Sequence, residues 1–504
     1  MNLTSFGFYF ALFAFVVLYY TVFKKRQWLM ILVSGWIINF YVERLAGLYL
    51  IITTVSVHLL AGRIERLNQE HGKKEAKKYS KKYMVLGVLI NLGILFGLKY
   101  LRAFEHLLHL SSFRLTDIVV PLGISFYTFK AIAYLVDVYR SKYPAQRNLL
   151  QFAAFVGYYP AFFQGPIDRY DEMSKTLYTE KRFDVSKLVE GLYLILFGLL
   201  KKIVVADRLT GAVSQAVANY EMYQGSVLFF VMFLFGIQIY ADFSGGIDMI
   251  RGFSKILGIE LSRNFNSPYL ADSVAEYWRR WHITLGAFMR EYVFYPMSFS
   301  KFFVAMNQRS RSKMGAKYGK VFNLLISTLV VYLLIGAWHG PRMISLLFGL
   351  FYGVIISISI LLKDVRAKWD RLIRLPDRLK YGLKILWVCQ ITTVGRYFSK
   401  ADTPSELFRM LRYTVSNFFG DHFFAHVHQA LGMSVLNYAV LAGAILIMMA
   451  AAYYQEKLGD FVHKIKASRP VLLYGFFVFA FTLILVFGLL QGEHSNIEFV
   501  YQKY

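Results

Sequence analysis

The chain has 504 residues, of which 57% are hydrophobic and 18% aromatic. It carries several apolar runs near the ~20 residues that a helix needs to cross a bilayer, which excludes an ordinary soluble enzyme. The net charge of +26 comes from 57 Lys and Arg against 31 Asp and Glu. The positive residues gather in short segments between apolar runs, so they read as topology determinants on a lipid surface rather than as a nucleic-acid interface.

Apolar runs occur at 3–23, 28–42, 45–62, 84–101, 117–136, 187–206, 226–240, 321–338, 343–362, 383–398, 432–453 and 471–490. Only helices or closed barrels satisfy the backbone in lipid, and barrel strands are about half this length. The expectation is therefore an all-α polytopic membrane protein with about 11–13 membrane segments, some of them re-entrant or interfacial. The first run has no basic residue before it and Lys24, Lys25 and Arg26 after it, so it reads as an anchor and not as a cleaved signal. The single Cys389 lies in an apolar run and can form no internal disulfide.

Loop charge sets the expected topology. Lys24–Arg26, the segment 63–82, the segments 301–320 and 363–380, and Lys457, Lys464, Lys466 and Arg469 are assigned to the cytoplasm. Residues 28–62 form a hairpin with Glu43 and Arg44 at its tip, 84–101 exits, and 117–136 returns to Arg140, Lys142 and Arg147. Both termini, including Gln491–Tyr504, are then outside a multi-pass plasma-membrane protein.

Two Trp-His pairs stand out, Trp281-His282 and Trp338-His339. A histidine inside a membrane segment is costly when charged and is a functional candidate for that reason. Because 301–320 and 363–380 share one side, 321–362 must go in and come back, with His339 near the turn in Gly336-Ala337-Trp338-His339-Gly340-Pro341-Arg342. His282 belongs to a different element. Ser273-Val274-Ala275-Glu276 reads as a capping box that opens a helix to about Tyr292. Trp278, Trp281, Leu285 and Phe288 form one stripe of it, the pattern of a helix lying in the interface.

Three polar clusters interrupt apolar sequence. In Tyr240-Ala241-Asp242-Phe243-Ser244-Gly245-Gly246-Ile247-Asp248, acids end a run and glycines allow a turn. In Gln164-Gly165-Pro166-Ile167-Asp168-Arg169-Tyr170, Gly-Pro breaks a run and Asp168 and Arg169 are placed to pair. Pro121–Lys130 puts Ser125, Tyr127, Thr128 and Lys130 into a membrane helix. Each is a helix-end or packing feature by itself; together they mark an intramembrane polar path. Phosphate-loop, dinucleotide, zinc-protease and nucleophile-elbow motifs are absent. Neither histidine has metal ligands at metal spacing, so no metal is expected.

In this order the clusters resemble the membrane-bound O-acyltransferase family, in its bacterial polysaccharide-modifying branch. The likeness covers about residues 30–420 and rests on PLGISFYTFKAIAYLVDVYR (121–140), QGPIDRY (164–170), GLLKKIVVADRL (198–209), YADFSGGIDMIRG (240–252), NFNSPYLADSVAEYWRRWHITLGAFMREYVFYP (264–296) and GAWHG (336–340). The resemblance implies one integral membrane domain over 1–504 with a helical core around a central tunnel, and peripheral helices at 3–23, 432–453 and 471–490. It implies His339 as the catalytic residue and His282 as the second functional position. Trp338, Trp281, Arg279, Arg280, Asp242, Ser244, Tyr240, Asn266, Gln164 and Arg169 are the expected tunnel-lining or supporting residues. No tightly bound cofactor is expected. The acyl donor is acetyl-CoA on the cytoplasmic side or the phosphopantetheine thioester of a carrier, and the acceptor a cell-surface polysaccharide. An extracellular or membrane-anchored acyltransferase or esterase-like partner completes the transfer. Gly-Pro-Ile-Asp-Arg-Tyr is also similar to the branch that carries D-alanine toward teichoic acid, and Gly340-Pro341-Arg342 departs from acetylating relatives. Donor and acceptor therefore stay open between acetyl and D-alanyl transfer, and a transporter or flippase is the rival from another class.

Overall fold

The computed structural model describes residues 6–42, 46–108, 121, 123–223, 225–372, 374–416, 418, 422–458 and 470–488. Glu43, Arg44, residues 117–120, Lys464, Lys466, Arg469 and Gln491–Tyr504, on which part of the expected topology rests, lie outside the described residues. Among those described, the only extended pairing is the isolated bridge between Phe265 and Trp281.

The helices in chain order are α1 (Phe6–Tyr20), α2 (Gln27–Val42), α3 (Ala46–Glu70), α4 (Lys73–Leu108), α5 (Ile124–Tyr139), α6 (Leu149–Val156), α7 (Pro160–Gln164), α8 (Tyr170–Leu177), α9 (Val185–Leu199), α10 (Asp207–Ala218) and α11 (Ser226–Ile256). After them come α12 (Val274–Arg280), α13 (Ile283–Phe288), α14 (Tyr295–Ser298), α15 (Lys301–His339), α16 (Met343–Leu361), α17 (Lys363–Leu372), α18 (Asp377–Lys400), α19 (Pro404–Val415), α20 (Phe423–Leu431), α21 (Val435–Leu458) and α22 (Pro470–Phe487). Six described helices are long and apolar enough to cross a membrane: those over 47–70, 74–100, 226–256, 301–339, 343–361 and 435–457. The chain is a multi-pass membrane protein.

α11 is the central post. It is buried on all sides over Ile237–Ile247, so no apolar stripe distinguishes one face from another. The acids and glycines of 240–248 do not end it, contrary to the turn expected there. Gly245 and Gly252 instead meet Gly198 and Gly191 of α9. A Cβ on Gly198 would lie 2.5 Å from the Gly245 carbonyl oxygen, and one on Gly191 2.5 Å from that of Gly252. Seven-residue spacing on both helices makes a seam along which backbones touch, the small-residue packing of membrane helices.

Past α9 the chain widens into a π-helical turn, Leu200–Ala206, that turns two consecutive lysines toward α11. Lys202 Nζ lies 2.7 Å from Asp242 and 2.8 Å from Asp207, and Lys201 Nζ lies 2.6 Å from Asp248. Charges this deep persist because each is paired.

α15 is two helices. Gly315 (φ 81°, ψ 161°) folds 301–314 back along the start of 316–339. There Asn323 Nδ2 donates to Asn307 Oδ1 and Ser310 Oγ, each at 3.0 Å. At ~1.5 Å per residue, 316–339 is about 36 Å long, enough to cross the ~30 Å hydrocarbon core and end at His339. α16 then returns against it.

Candidate functional site

His339 is the last residue of α15, and the helix stops at Gly340. The carbonyls of a helix C-terminus lack intrahelical donors. Here α4 supplies them: the Tyr100 hydroxyl donates to the Ala337 carbonyl, and Lys99 Nζ donates to that of Trp338 at 3.1 Å. Lys99 Nζ also sits 5.3 Å over the Trp338 ring. A cation at the negative end of the helix dipole is favourably placed. The His339 ring lies 4.8 Å from Trp338 and 5.7 Å from Phe348.

His282 is not in the middle of an interfacial helix, as its stripe implies. α12 ends at Arg280, His282 takes a left-handed backbone (φ 47°), and α13 begins at Ile283. The break is made by residues 264–266. Asn266 N–H donates to Arg280 O at 3.0 Å, and Ile283 N–H to Asn264 O at 2.9 Å. This two-sided grip outcompetes helix continuation. It also turns Trp281 and His282 inward, to 2% and 3% exposure. Ser273 does cap α12 by accepting from Glu276 N–H, while the Glu276 carboxylate pairs with Arg279 and Arg280.

The Asn264 side-chain oxygen accepts from Thr284 N–H at 3.1 Å and Thr284 Oγ1 at 2.9 Å, and lies 3.1 Å from His282 Nδ1. A backbone N–H can only donate, which fixes the amide with its oxygen toward the histidine. His282 therefore carries its hydrogen on Nδ1 and presents Nε2 as the lone-pair nitrogen. Phe243 of α11 packs edge-on at 5.0 Å. Trp338 stands between the two histidines, its ring 6.1 Å from that of His282 and 4.8 Å from that of His339.

Two pockets border this cluster, and α18, which runs from Asp377 to Lys400, lines one of them through Arg396, Phe398 and Ser399. Near the start of α18, Tyr381 donates to Leu270 O at 2.6 Å and faces Lys457 of α21. A pocket whose lining includes Gln455 of α21 holds the basic residues Lys201, Arg251, Lys255 and Arg263 and the acids Glu190, Asp248 and Glu260, with Tyr240 and Phe265 also in its wall. Lys255 pairs with Glu190 and Glu260, and Lys201 with Asp248. His339 lines the other pocket with Trp278, Trp281, Arg342, Ser345, Phe348 and Arg396. The two meet across one aromatic wall, where Trp281 lies 6.0 Å from Tyr240 and 5.1 Å from Phe265.

The remaining expected site residues separate into two groups. Tyr240 belongs to the wall, and Asp242 and Ser244 are buried on α11, Asp242 as the ion-pair partner of Lys202. Gln164 is buried with both ends of its amide unbonded among the described residues, an arrangement natural to a place that holds water or ligand. The others lie away from the histidines. Arg169 pairs with Glu291 at 2.9 Å and not with Asp168, because the extended backbone at Arg169 sends neighbouring side chains to opposite sides. Asp168 accepts from Ser262 N–H, and burial pushes its carboxyl up to about 6, opposed by Lys130. Arg279 is exposed, Arg280 ties α12 to Glu456 of α21, and the Asn266 side chain is exposed. Sequence reasoning missed Asn264, Lys99 and Arg396. A lone arginine inside the apolar run 383–398 is the signal that pointed to the last of these.

Residues 144–308 match the sequence model of the membrane-bound O-acyltransferase family. The chain is 30% identical over 376 residues to a probable alginate O-acetylase of Pseudomonas aeruginosa, covering 72% of this chain and 66% of that protein. It is 28% identical over 314 residues to a peptidoglycan O-acetyltransferase of Helicobacter pylori, covering 56% and 55%. It is 26% identical over 260 residues to a teichoic acid D-alanyltransferase of Bacillus subtilis, covering 51% and 62%. Among five alginate O-acetylases the chain spans 66% and 69% of two and 47–56% of three.

Proposed function

The chain belongs to the membrane-bound O-acyltransferase family, and from that membership we propose that it moves an acyl group, acetyl from acetyl-CoA, for O-acylation of a cell-surface polysaccharide. The observation that carries the reading is that two pockets share one aromatic wall, Tyr240 and Phe265 lining one and Trp281 the other, with His339 in the second. With the end of α21 at Lys457 cytoplasmic, as loop charge implies, the pocket that Gln455 lines, where Lys201, Arg251, Lys255 and Arg263 outnumber Glu190, Asp248 and Glu260, meets the anionic donor. The pocket at His339 then opens outward, toward a polysaccharide or an exported acyltransferase partner in the plasma membrane's outer environment. His339 acts as general base for the acceptor hydroxyl, and Asn264 holds His282 with Nε2 toward the acyl path. The buried, unbonded polar atoms of Gln164, Trp278 and Trp338 are suited to the carbonyl and hydroxyl groups of such a path.

Replacing His339 with Ala should abolish surface-glycan O-acetylation, read by mass analysis, while the protein's abundance in the membrane stays unchanged. Full O-acetylation in that variant overturns the assignment. D-alanyl transfer from a carrier-protein thioester is the second reading, favoured by the similarity to D-alanyltransferases and by the basic segment 301–320, on which an acidic carrier can dock. Retention of a small acidic carrier on the purified protein would support it.

A further inference from the structure

We infer that a groove between α2, α3 and α6 is a binding site for an anionic phospholipid, with an acyl chain in the groove and the headgroup at the basic edge where α2 and α6 begin. The inference stands apart from the acyl-transfer reading and from the histidine site. The groove measures about 790 Å³ and is lined by Leu32, Trp36 and Phe40 of α2, Val55 of α3, and Leu150 and Ala153 of α6. Packing builds it. Where α2 leads into α3 the two helices touch, since a Cβ on Gly47 would lie 2.3 Å from the Phe40 ring. Further along, α6 lies against both. A Cβ on Gly35 of α2 would lie 2.7 Å from the Gly157 carbonyl oxygen, just past α6. The Phe152 ring of α6 lies 6.0 Å from that of His58 on α3. An eight-residue helix packed against both holds α2 and α3 apart and leaves the groove between them.

The wall offers hydrocarbon. The Thr54 hydroxyl donates within its own helix to Leu50 O at 2.7 Å, and the Trp36 indole nitrogen is turned toward Gly157, where an added Cβ would lie 2.9 Å from it. A sugar, a nucleotide or an extended peptide would give up bonds to water here and gain few in return, whereas an acyl chain gives up none. From Leu32 to Tyr41 α2 rises about 14 Å, the length of about a dozen chain carbons at about 1.2 Å per bond. Bulk lipid is as apolar as the groove, so burial alone does not select one lipid, and the headgroup must. The chain brings charge to the place where a headgroup would lie. Tyr178 donates to Gln151 O of α6 at 2.9 Å, and Lys181 N–H donates to Gln27 Oε1 of α2 at 2.9 Å, so one segment ties the starts of both helices to a common edge. Lys24, Lys25 and Arg26 precede α2 there, and Arg147 precedes Leu149 and Leu150 of the groove. All four cations are exposed, and none forms an ion pair among the described residues. Cations without acids beside an apolar groove complement a phosphate carried on acyl chains.

The test places full-length protein in phosphatidylcholine vesicles that contain increasing amounts of phosphatidylglycerol or phosphatidylcholine brominated on the acyl chains. Bromine quenches the fluorescence of a tryptophan that it touches. The quenching lost in Trp36→Phe belongs to the groove. The quenching lost in Trp387→Phe, whose ring is 63% exposed on α18, belongs to ordinary lipid contact. The expected result is a preference for phosphatidylglycerol at Trp36 on the order of tenfold, larger than at Trp387 and shrinking as salt rises toward about 1 M. Arg147→Gln should lower that preference by a factor of about two to five. Val33 lines the groove from a half-exposed position, so Val33→Phe fills the space without entering the packed core, and it should bring the preference at Trp36 down to that at Trp387. Equal preference at Trp36 and Trp387 in the unmodified protein overturns the inference, and so does an unchanged preference in Val33→Phe. Quenching at Trp36 that is the same for both headgroups means that the groove takes any lipid tail, which also overturns it. If Arg147→Gln does not fold, the salt dependence in the unmodified protein decides whether charge selects the lipid.

Discussion

Asn264 and Asn266 flank the Phe265 bridge, and their backbones both pair with the 280–283 segment, but the chain bends at Asn266. What separates them is direction: Asn264 is buried against His282 and Thr284, and Asn266 faces out. Replacing Asn264 with Leu leaves the Thr284 hydroxyl and N–H and His282 Nδ1 without their shared acceptor. The expected cost is about 1–3 kcal/mol of stability, read by thermal unfolding in detergent, together with at least about tenfold loss of acyl transfer. Asn266→Ala should leave activity within about twofold of the parent, because an exposed side chain is removed and its backbone bond is kept.

At the scale of elements, the α15–α16 hairpin depends on close approach. A Cβ on Gly336 would lie 2.4 Å from the Ser345 carbonyl oxygen, and one on Gly349 2.3 Å from that of Tyr332. Both obstacles are backbone, which cannot rotate away. Gly336→Leu must therefore force the helices apart and move His339 three residues later, at a cost of about 1–3 kcal/mol and most of the activity, read by unfolding and glycan O-acylation. On α4, by contrast, a Cβ added at Gly93 would meet nothing within 4 Å. Gly93→Ala should be neutral or stabilising by up to about 1 kcal/mol, since alanine is the better helix former. α4 matters for a different reason, since Lys99 and Tyr100 cap the end of α15 from outside the hairpin.

Across the whole molecule, the glycine seam of α9 and α11 and the ion pairs of the π turn hold the frame on which both pockets are built. Lys202 is 2% exposed between Asp207 and Asp242, so Lys202→Met removes the counter-charge from two buried carboxylates. The expected loss is about 3–5 kcal/mol, measured as thermal unfolding. Lys317 and Asp364 also pair, at 2.7 Å, but on the surface. Lys317→Ala should leave the unfolding temperature unchanged, because water and salt screen an exposed pair.

The sequence by itself determined that the chain crosses a membrane many times, and it placed His339 at the turn of a hairpin between two basic segments. Runs of apolar residues and clustered lysines act locally, through transfer into lipid and attraction to its surface, and such effects are legible one segment at a time. The order of the polar clusters likewise carried the family. Tertiary structure decided what those clusters do. The stripe Trp278–Phe288 predicted one helix, and the pairing of 264–266 with 280–283 broke it at His282. Gly245 predicted a turn and became a contact, because its partner is a glycine of another helix. Arg396 and Asn264 acquired their places only when α18 and the segment 264–266 were set beside the histidines. A hydrogen bond or a buried charge needs a partner far along the chain, and no local pattern records where that partner will be.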